Sequence, residues 1–353
     1  MTAQAEMTPG QPAPSHVRPS MLRKVFKGVL MGVLAVVMFV LTAWAALAIY
    51  FADTHDGPRT ILAVVYILAT LGVVIFVRPL RRLVLSFAIL FALVGIWFTL
   101  LLKPTNDRDW SPDVAQLPWA TIEGDRLALH NIRDFEYRSE TDFTPRWIER
   151  TYDLSHLKNA DFALVYWGSK KIAHAIVSFG FDDGQTLSVS IETRKEKGES
   201  YSAVQGFFRQ YELYYVFALE RDVIRLRTNF RNEEVYLYRT KLTPDQARDV
   251  LLSYVERANS LKDRPEFYNA ATSNCATNIL DHARAGRIQA KMSWEILLSG
   301  YAARQVYRNG LLNTNLPYEE LEARSLINNA AQAASPDNDV DYSRAIRAGL
   351  PLP

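Results

Sequence analysis

The chain has 353 residues, with 40 Lys/Arg, 38 Asp/Glu, six histidines and one cysteine. This is long enough for a membrane region plus one or two folded domains. A formal net charge of +2 without a basic block gives no electrostatic footprint for nucleic acid. One cysteine excludes an intramolecular disulfide framework, and no Cys/His set has zinc spacing.

Residues 1–24 read as a disordered cytoplasmic tail, rich in Pro, Ala and Gln over Met1 to Ser20. Three nearly uncharged runs follow: Gly28 to Phe51, Thr60 to Val77 and Leu83 to Leu102, of 24, 18 and 20 residues. A bilayer core takes about 20 residues to cross, and none of the runs shows the polar stripe of a soluble amphipathic helix. The first exceeds the apolar region of a cleavable signal peptide, so 25–102 reads as three transmembrane helices. Arg18, Arg23, Lys24 and Lys27 precede the first span, and Arg78, Arg81 and Arg82 lie between the second and third. The loop between the first two has Asp53 and Asp56 against Arg59. The positive-inside rule therefore sets the N-terminus and the Arg78–Arg82 loop in the cytoplasm, with everything after Leu102 outside. Beyond Lys103 stand 31 basic and 35 acidic residues, so the outer part is mildly acidic.

Residues 103–123 form a polar, Pro-containing linker in which Trp110 and Trp119 suit either a membrane interface or core packing. β-branched and aromatic content predicts strands over Arg126–His130, Trp147–Leu154, Phe162–Trp167, Ile172–Phe181 and Thr186–Arg194. Asp182-Asp183-Gly184 marks a hairpin between the last two. A short helix over Ser202–Gln210 precedes strands at Glu212–Leu219 and Glu234–Tyr238. Thr243, an N-cap residue, and Pro244 then open a helix reaching about Leu261. A helix beginning near Cys275 runs to Arg284, and Ser293 to Ala334 is mainly helical. Strands in the middle with helices behind give an α+β domain.

The lone cysteine sits in Thr272-Ser273-Asn274-Cys275-Ala276-Thr277-Asn278. Near a helix N-terminus, the dipole and unpaired N–H groups favour a thiolate, which is the nucleophilic form. The alternative is a small buried hydrophobe. Among possible bases, His16 is in the tail, His55 in a short loop, and His130 and His156 lie in or beside strands without other signals. His282 is two helical turns past Cys275, about 10 Å away along the axis. His174 interrupts an apolar strand between two alanines that leave room for another side chain; a satisfied core histidine is the competing reading. A cysteine at a helix start facing a histidine on a strand is the papain-like arrangement. With a three-residue hairpin loop, Phe181 pairs with Gln185 and His174 stands opposite Glu192, with Ser188 and Ser190 on the same face. A one-residue slip would substitute Thr193 or Ile191, and Glu192 could equally belong to a solvated strand end.

Several separated phrases carry a resemblance: Tyr137 to Trp147, Ala173-His174 through Phe181, Ser190 to Arg194, Phe208 to Leu213, and Ser273 to Thr277. Together, over roughly residues 104–350, they resemble the family with the N-terminal periplasmic domain of Lnb-type lipoprotein acyltransferases. That resemblance implies a permuted papain-like, NlpC-type thiol fold in which histidine precedes cysteine. It maps His174 to the family histidine and Cys275 to the nucleophile. The three leading spans and basic tail differ from the arrangement associated with characterised Lnb acyltransferases.

The expectation is an inner-membrane, multi-pass protein with a periplasmic α+β thiol domain over 124–290 and a mainly helical extension over 291–353. Cys275, His174 and Glu192 would be catalytic, with Asn274 and Ser190 in oxyanion or positioning roles. The reaction would pass an acyl group through a thioester on a membrane lipid or lipoprotein substrate, and it calls for no cofactor, no metal and no nucleic acid. Alternatives are a cell-wall peptidase or amidase of NlpC type and a non-catalytic envelope binding module. Oligomeric state is left open.

Overall fold

The computed structural model describes residues 21–52, 58–270, 275–289, 293 and 298–353, without the side chains of Leu22, Cys275 and Ala276. The expected tail over 1–24 therefore lies almost wholly outside the described residues, as does Asn274. Among the described residues the chain divides into two compact units, one of residues 21–50 and 58–101, the other of residues 51–52 and those from Leu102 onward.

The first unit is three helices: α1 (Met21–Phe51), α2 (Arg59–Phe76) and α3 (Leu80–Ile96), the last prolonged by a π-helical turn over Trp97–Leu101. Each is long and apolar enough to cross a membrane. Small contact clusters such as Met38–Leu83–Phe87 join the helices, while Val29, Phe39, Leu68 and Phe76 remain exposed. A helix that is apolar all round and still exposed suits lipid as its solvent.

The second unit is built on one sheet. Its strands are β1 (Trp119–Glu123), β2 (Arg126–Arg133), β5 (Trp147–Asp153), β6 (Leu157–Tyr166), β7 (His174–Phe181), β8 (Thr186–Arg194), β9 (Glu212–Ala218) and β10 (Glu234–Arg239). A small pair, β3 (Glu136–Tyr137) and β4 (Phe143–Thr144), stands apart. The order is β1-β2-β9-β8-β7-β6-β10, with β5 also on β2; among the described residues only the β2–β9 contact is parallel. Alternation along the central strands makes two cores. Val177, Phe179, Val189, Ile191, Tyr215 and Phe217 face one side. Val165, Ile176, Tyr214, Val216 and Val235 face the other.

Helices cover both faces. On the first lie α6 (Pro244–Asp263) and α7 (Cys275–Ala285), followed by α8 (Ala302–Arg308). Thr243 caps α6, as its sequence predicts, and the structure adds a reciprocal capping box with Gln246. On the second face lies α5 (Glu220–Arg225), which runs into a π-helical turn over Leu226–Phe230. The C-terminal helices α10 (Asn328–Ala333) and α11 (Asp339–Ala345) join it there, while α9 (Tyr318–Ser325) packs beside β10. The short helix α4 is Ala203–Phe207.

The residues from Ser299 onward thus complete the same sheet domain. Half-buried Arg347 reaches the fully buried Asp161 at 2.8 Å and Glu220 at 2.6 Å on the second face. Burial alone would raise the Glu220 carboxyl, but the Arg347 guanidinium holds it below its ordinary value. Trp110 is packed, not exposed: it donates to the Asn106 carbonyl at 2.9 Å and lies under the Arg194 guanidinium.

Candidate functional site

The β7–β8 hairpin sets the geometry. Phe181 N donates to the Gln185 carbonyl at 3.0 Å, and Gly184 closes the turn at φ +88°, a left-handed conformation that suits glycine. The ladder pairs Gly180 with Thr186 and Ile176 with Ser190, and this three-residue-loop register carries His174 opposite Glu192.

His174 is the first residue of β7, at the end of the sheet, with only 12% of its side chain exposed. Its Nε2 lies 2.6 Å from Ser190 Oγ and 3.2 Å from Glu192 Oε1. Ser190 Oγ donates to the same Glu192 oxygen at 2.7 Å. With the serine proton used on the carboxylate, the ring is the donor at Nε2, which leaves Nδ1 as the nitrogen that exchanges a proton with a reactant.

Arg227, which the sequence reading did not single out, completes this cluster. Its guanidinium donates to Glu192 Oε1 at 2.8 Å. Burial by itself would raise the Glu192 carboxyl, but the His174 and Arg227 charges outweigh it and hold the group well below the usual carboxylate range. Burial lowers Arg227, with Glu192 opposing. Arg227 lies in the π-helical turn, where Gln332 of α10 donates to the Thr228 carbonyl at 2.9 Å. An arginine in an irregular turn carries no motif, so only proximity in the fold reveals it.

The cluster sits in a cleft of about 660 Å³. Its walls are the Trp167–Ala173 turn, the Ser200–Phe207 segment, the Arg227–Glu233 turn, and Tyr268 and Ala270 on the approach to α7. Trp167, Ile172, Tyr201 and Phe207 are exposed, whereas Glu140, Lys195, Arg231 and Glu233 make other parts of the lining charged. Gly300 locks one wall in place. Tyr166 Oη donates to its carbonyl at 2.6 Å, and a Cβ there would stand 2.1 Å from the Lys170 carbonyl oxygen.

Cys275 is the first residue of α7, where helical N–H groups lack partners along the chain. Asn274 and the Cys275 side chain lie outside the described residues. The rest of α7 is firmly held. His282 Nε2 lies 2.8 Å from Tyr215 Oη, its Nδ1 2.5 Å from Ser253 Oγ, and its ring stacks on Tyr254 at 3.8 Å. Burial, with the nearby Arg257 charge, pushes the His282 pKa down to about 3, so this imidazole is neutral. Two other histidines have surface partners: His130 stacks on Trp119 at 3.8 Å and pairs with Glu149, and His156 pairs with Asp182. Among the described residues, no group of three or more His, Cys, Asp or Glu is arranged to hold a metal ion.

No curated protein and no solved structure matches the chain. A family of periplasmic domains does match, and with the three apolar helices it describes a membrane protein bearing a periplasmic domain. The matched segment runs from β4 to α8 and contains β7, β8 and α7. Residues 143–305 match the model of the Lnb N-terminal periplasmic domain, the family that the separated sequence phrases resemble.

Proposed function

We propose that this is an inner-membrane, multi-pass protein whose periplasmic domain is a Cys–His thiol enzyme acting on an acyl bond. The observation that carries this reading is the chain Arg227–Glu192–Ser190–His174 in a cleft. A carboxylate kept ionised by an arginine orients an imidazole, and that is how a general base is held ready. Cys275 supplies the nucleophile at the start of α7. Its thiol proton goes to His174 Nδ1 as sulfur bonds to the carbonyl carbon of an ester or amide. The Cys275 backbone N–H and Asn274 stabilise the oxyanion. The C–O or C–N bond then breaks, and the imidazolium proton leaves with the alcohol or amine. The resulting thioester passes its acyl group to an amine, as a lipoprotein acyltransferase would, or to water. The reaction needs no cofactor.

The charged parts of the cleft favour a second reading, amide hydrolysis on a polar cell-wall peptide. The two separate by product: acyl transfer consumes the acceptor amine, whereas amide hydrolysis consumes water and releases one. The test of either is a mutant cycle in the full chain. Cys275→Ser and His174→Ala should each abolish turnover of an acyl ester without lowering the thermal midpoint. The double variant should be no worse than either single one, because members of one catalytic unit are not additive. Retained turnover in both single variants would leave a binding module. For location, a phosphatase fused after Leu102 should be active outside the cytoplasm; inactivity there would overturn the topology.

A further inference from the structure

From Leu102 onward, nine large apolar side chains are exposed among the described residues. Five of the nine fall in two short segments: Trp167 and Ile172 in one, Tyr201, Val204 and Phe207 in the other. All but Val204 line the cleft that holds His174. Single exposed apolar residues are ordinary, whereas a concentrated patch marks an interaction surface. The first segment is held in shape by its neighbours. Lys170 lies over the Tyr166 and Tyr236 rings at 4.5 and 4.3 Å, and Gly300 N donates to the Lys171 carbonyl at 3.2 Å. In the second, Gly206 is buried against Tyr268, which leaves Val204 and Phe207, three apart on α4, exposed together. Charge also sets the patch apart. Residues 167–172 and 200–209 include Lys170, Lys171 and Arg209 and no Asp or Glu, whereas beyond Lys103 acidic residues outnumber basic ones by 35 to 31. Glu234 pairs with Lys170, and Lys171 is exposed. Residues 102–109 join the third apolar helix to Trp110, which is packed in the domain, and eight extended residues reach about 28 Å. A bilayer crossed by that helix is therefore always close at hand. We propose that the two segments form one docking surface for an anionic lipid bilayer. The five apolar side chains enter the boundary between headgroups and acyl chains, with Lys171 beside the phosphates. The cleft at His174 then opens at the lipid surface. The inference rests on the membrane-anchored part of the functional reading and on neither the thiol nor its chemistry.

The test uses the full chain in nanodiscs of phosphatidylethanolamine and phosphatidylglycerol, bearing Cys275→Ala to remove the native thiol. Ile172→Cys, Phe207→Cys or, as a control in the exposed C-terminal segment, Leu352→Cys then carries a single nitroxide spin label. Relaxation of the label reports its collisions with oxygen, which concentrates among acyl chains, and with a water-soluble nickel chelate, which stays outside them. The oxygen-to-nickel ratio should be several-fold higher at positions 172 and 207 than at 352. Trp167→Glu drives a charge into the same layer and should lower the ratio at position 207 several-fold. Three results overturn the proposal. Ratios at 172 and 207 equal to that at 352 would leave the patch in water. Loss of collisions with both reagents would mean that protein, a second copy or another partner, covers it. A lipid-like ratio at one position alone would break the shared surface. Because the readout needs neither the thiol nor turnover, a patch that stays in water is distinguishable from a failure of the acyl-bond chemistry.

Discussion

His282 makes a quantitative expectation about the helix that begins at Cys275. Its ring is buried between Tyr215, Ser253 and Tyr254, with Arg257 as the neighbouring charge, and its pKa is about 3 in place of 6.5. A base whose folded pKa is depressed stays neutral in the folded chain while the unfolded chain takes up a proton. Stability is therefore complete above the unfolded pKa and declines as pH falls below about 6.5. Between pH 8 and pH 5 the loss is about 2 kcal/mol, and it changes little for any folded pKa below about 4. For a domain of this size that corresponds to a fall in Tm of about 4–8 °C. Thermal melts of the wild type and of His282→Gln, at pH 8 and pH 5, isolate this contribution because other titrating groups cancel in the difference. The wild type should lose about 2 kcal/mol more than the variant. Parallel losses would show that the ring is not held neutral, and the anchoring of α7 through this imidazole would fall with it.

Arg227→Met removes the guanidinium from Glu192 Oε1, and should cost about 2 kcal/mol by denaturant titration, with partial recovery in Arg227→Lys. The same substitution should raise the Glu192 pKa, so that the acid limb of any pH–rate profile moves upward; an unmoved limb would remove Arg227 from the site. Gly300→Ala forces a Cβ against the Lys170 carbonyl and should lower stability by about 1–3 kcal/mol, and an unchanged melting curve would mean that this wall yields freely. Thr243→Ala deletes half of a capping box and should cost about 1 kcal/mol while leaving acyl turnover unchanged.

The local elements are legible because each depends on neighbours in the chain. Thr186–Arg194 emerges as a strand with the bounds that β-propensity and turn residues give it, and Thr243-Pro244 starts its helix as capping chemistry requires. The three apolar helices follow from hydropathy alone. Even the facing of His174 and Glu192 follows from a local rule, since a three-residue turn fixes the hairpin register. What the sequence does not disclose are the long-range partners. Arg227 meets Glu192 across 35 positions, from an irregular turn that no periodicity marks, and α10 supports that turn from beyond residue 327. The sequence sets His282 about 10 Å along the helix from the cysteine, but does not disclose that the fold commits its ring to Tyr215 and Ser253. The helices after Ser299, read as an extension, pack against the same sheet. The physical reason is the same in each case. A periodic pattern states which face of an element is buried, but which side chains meet on that face depends on how the elements are layered.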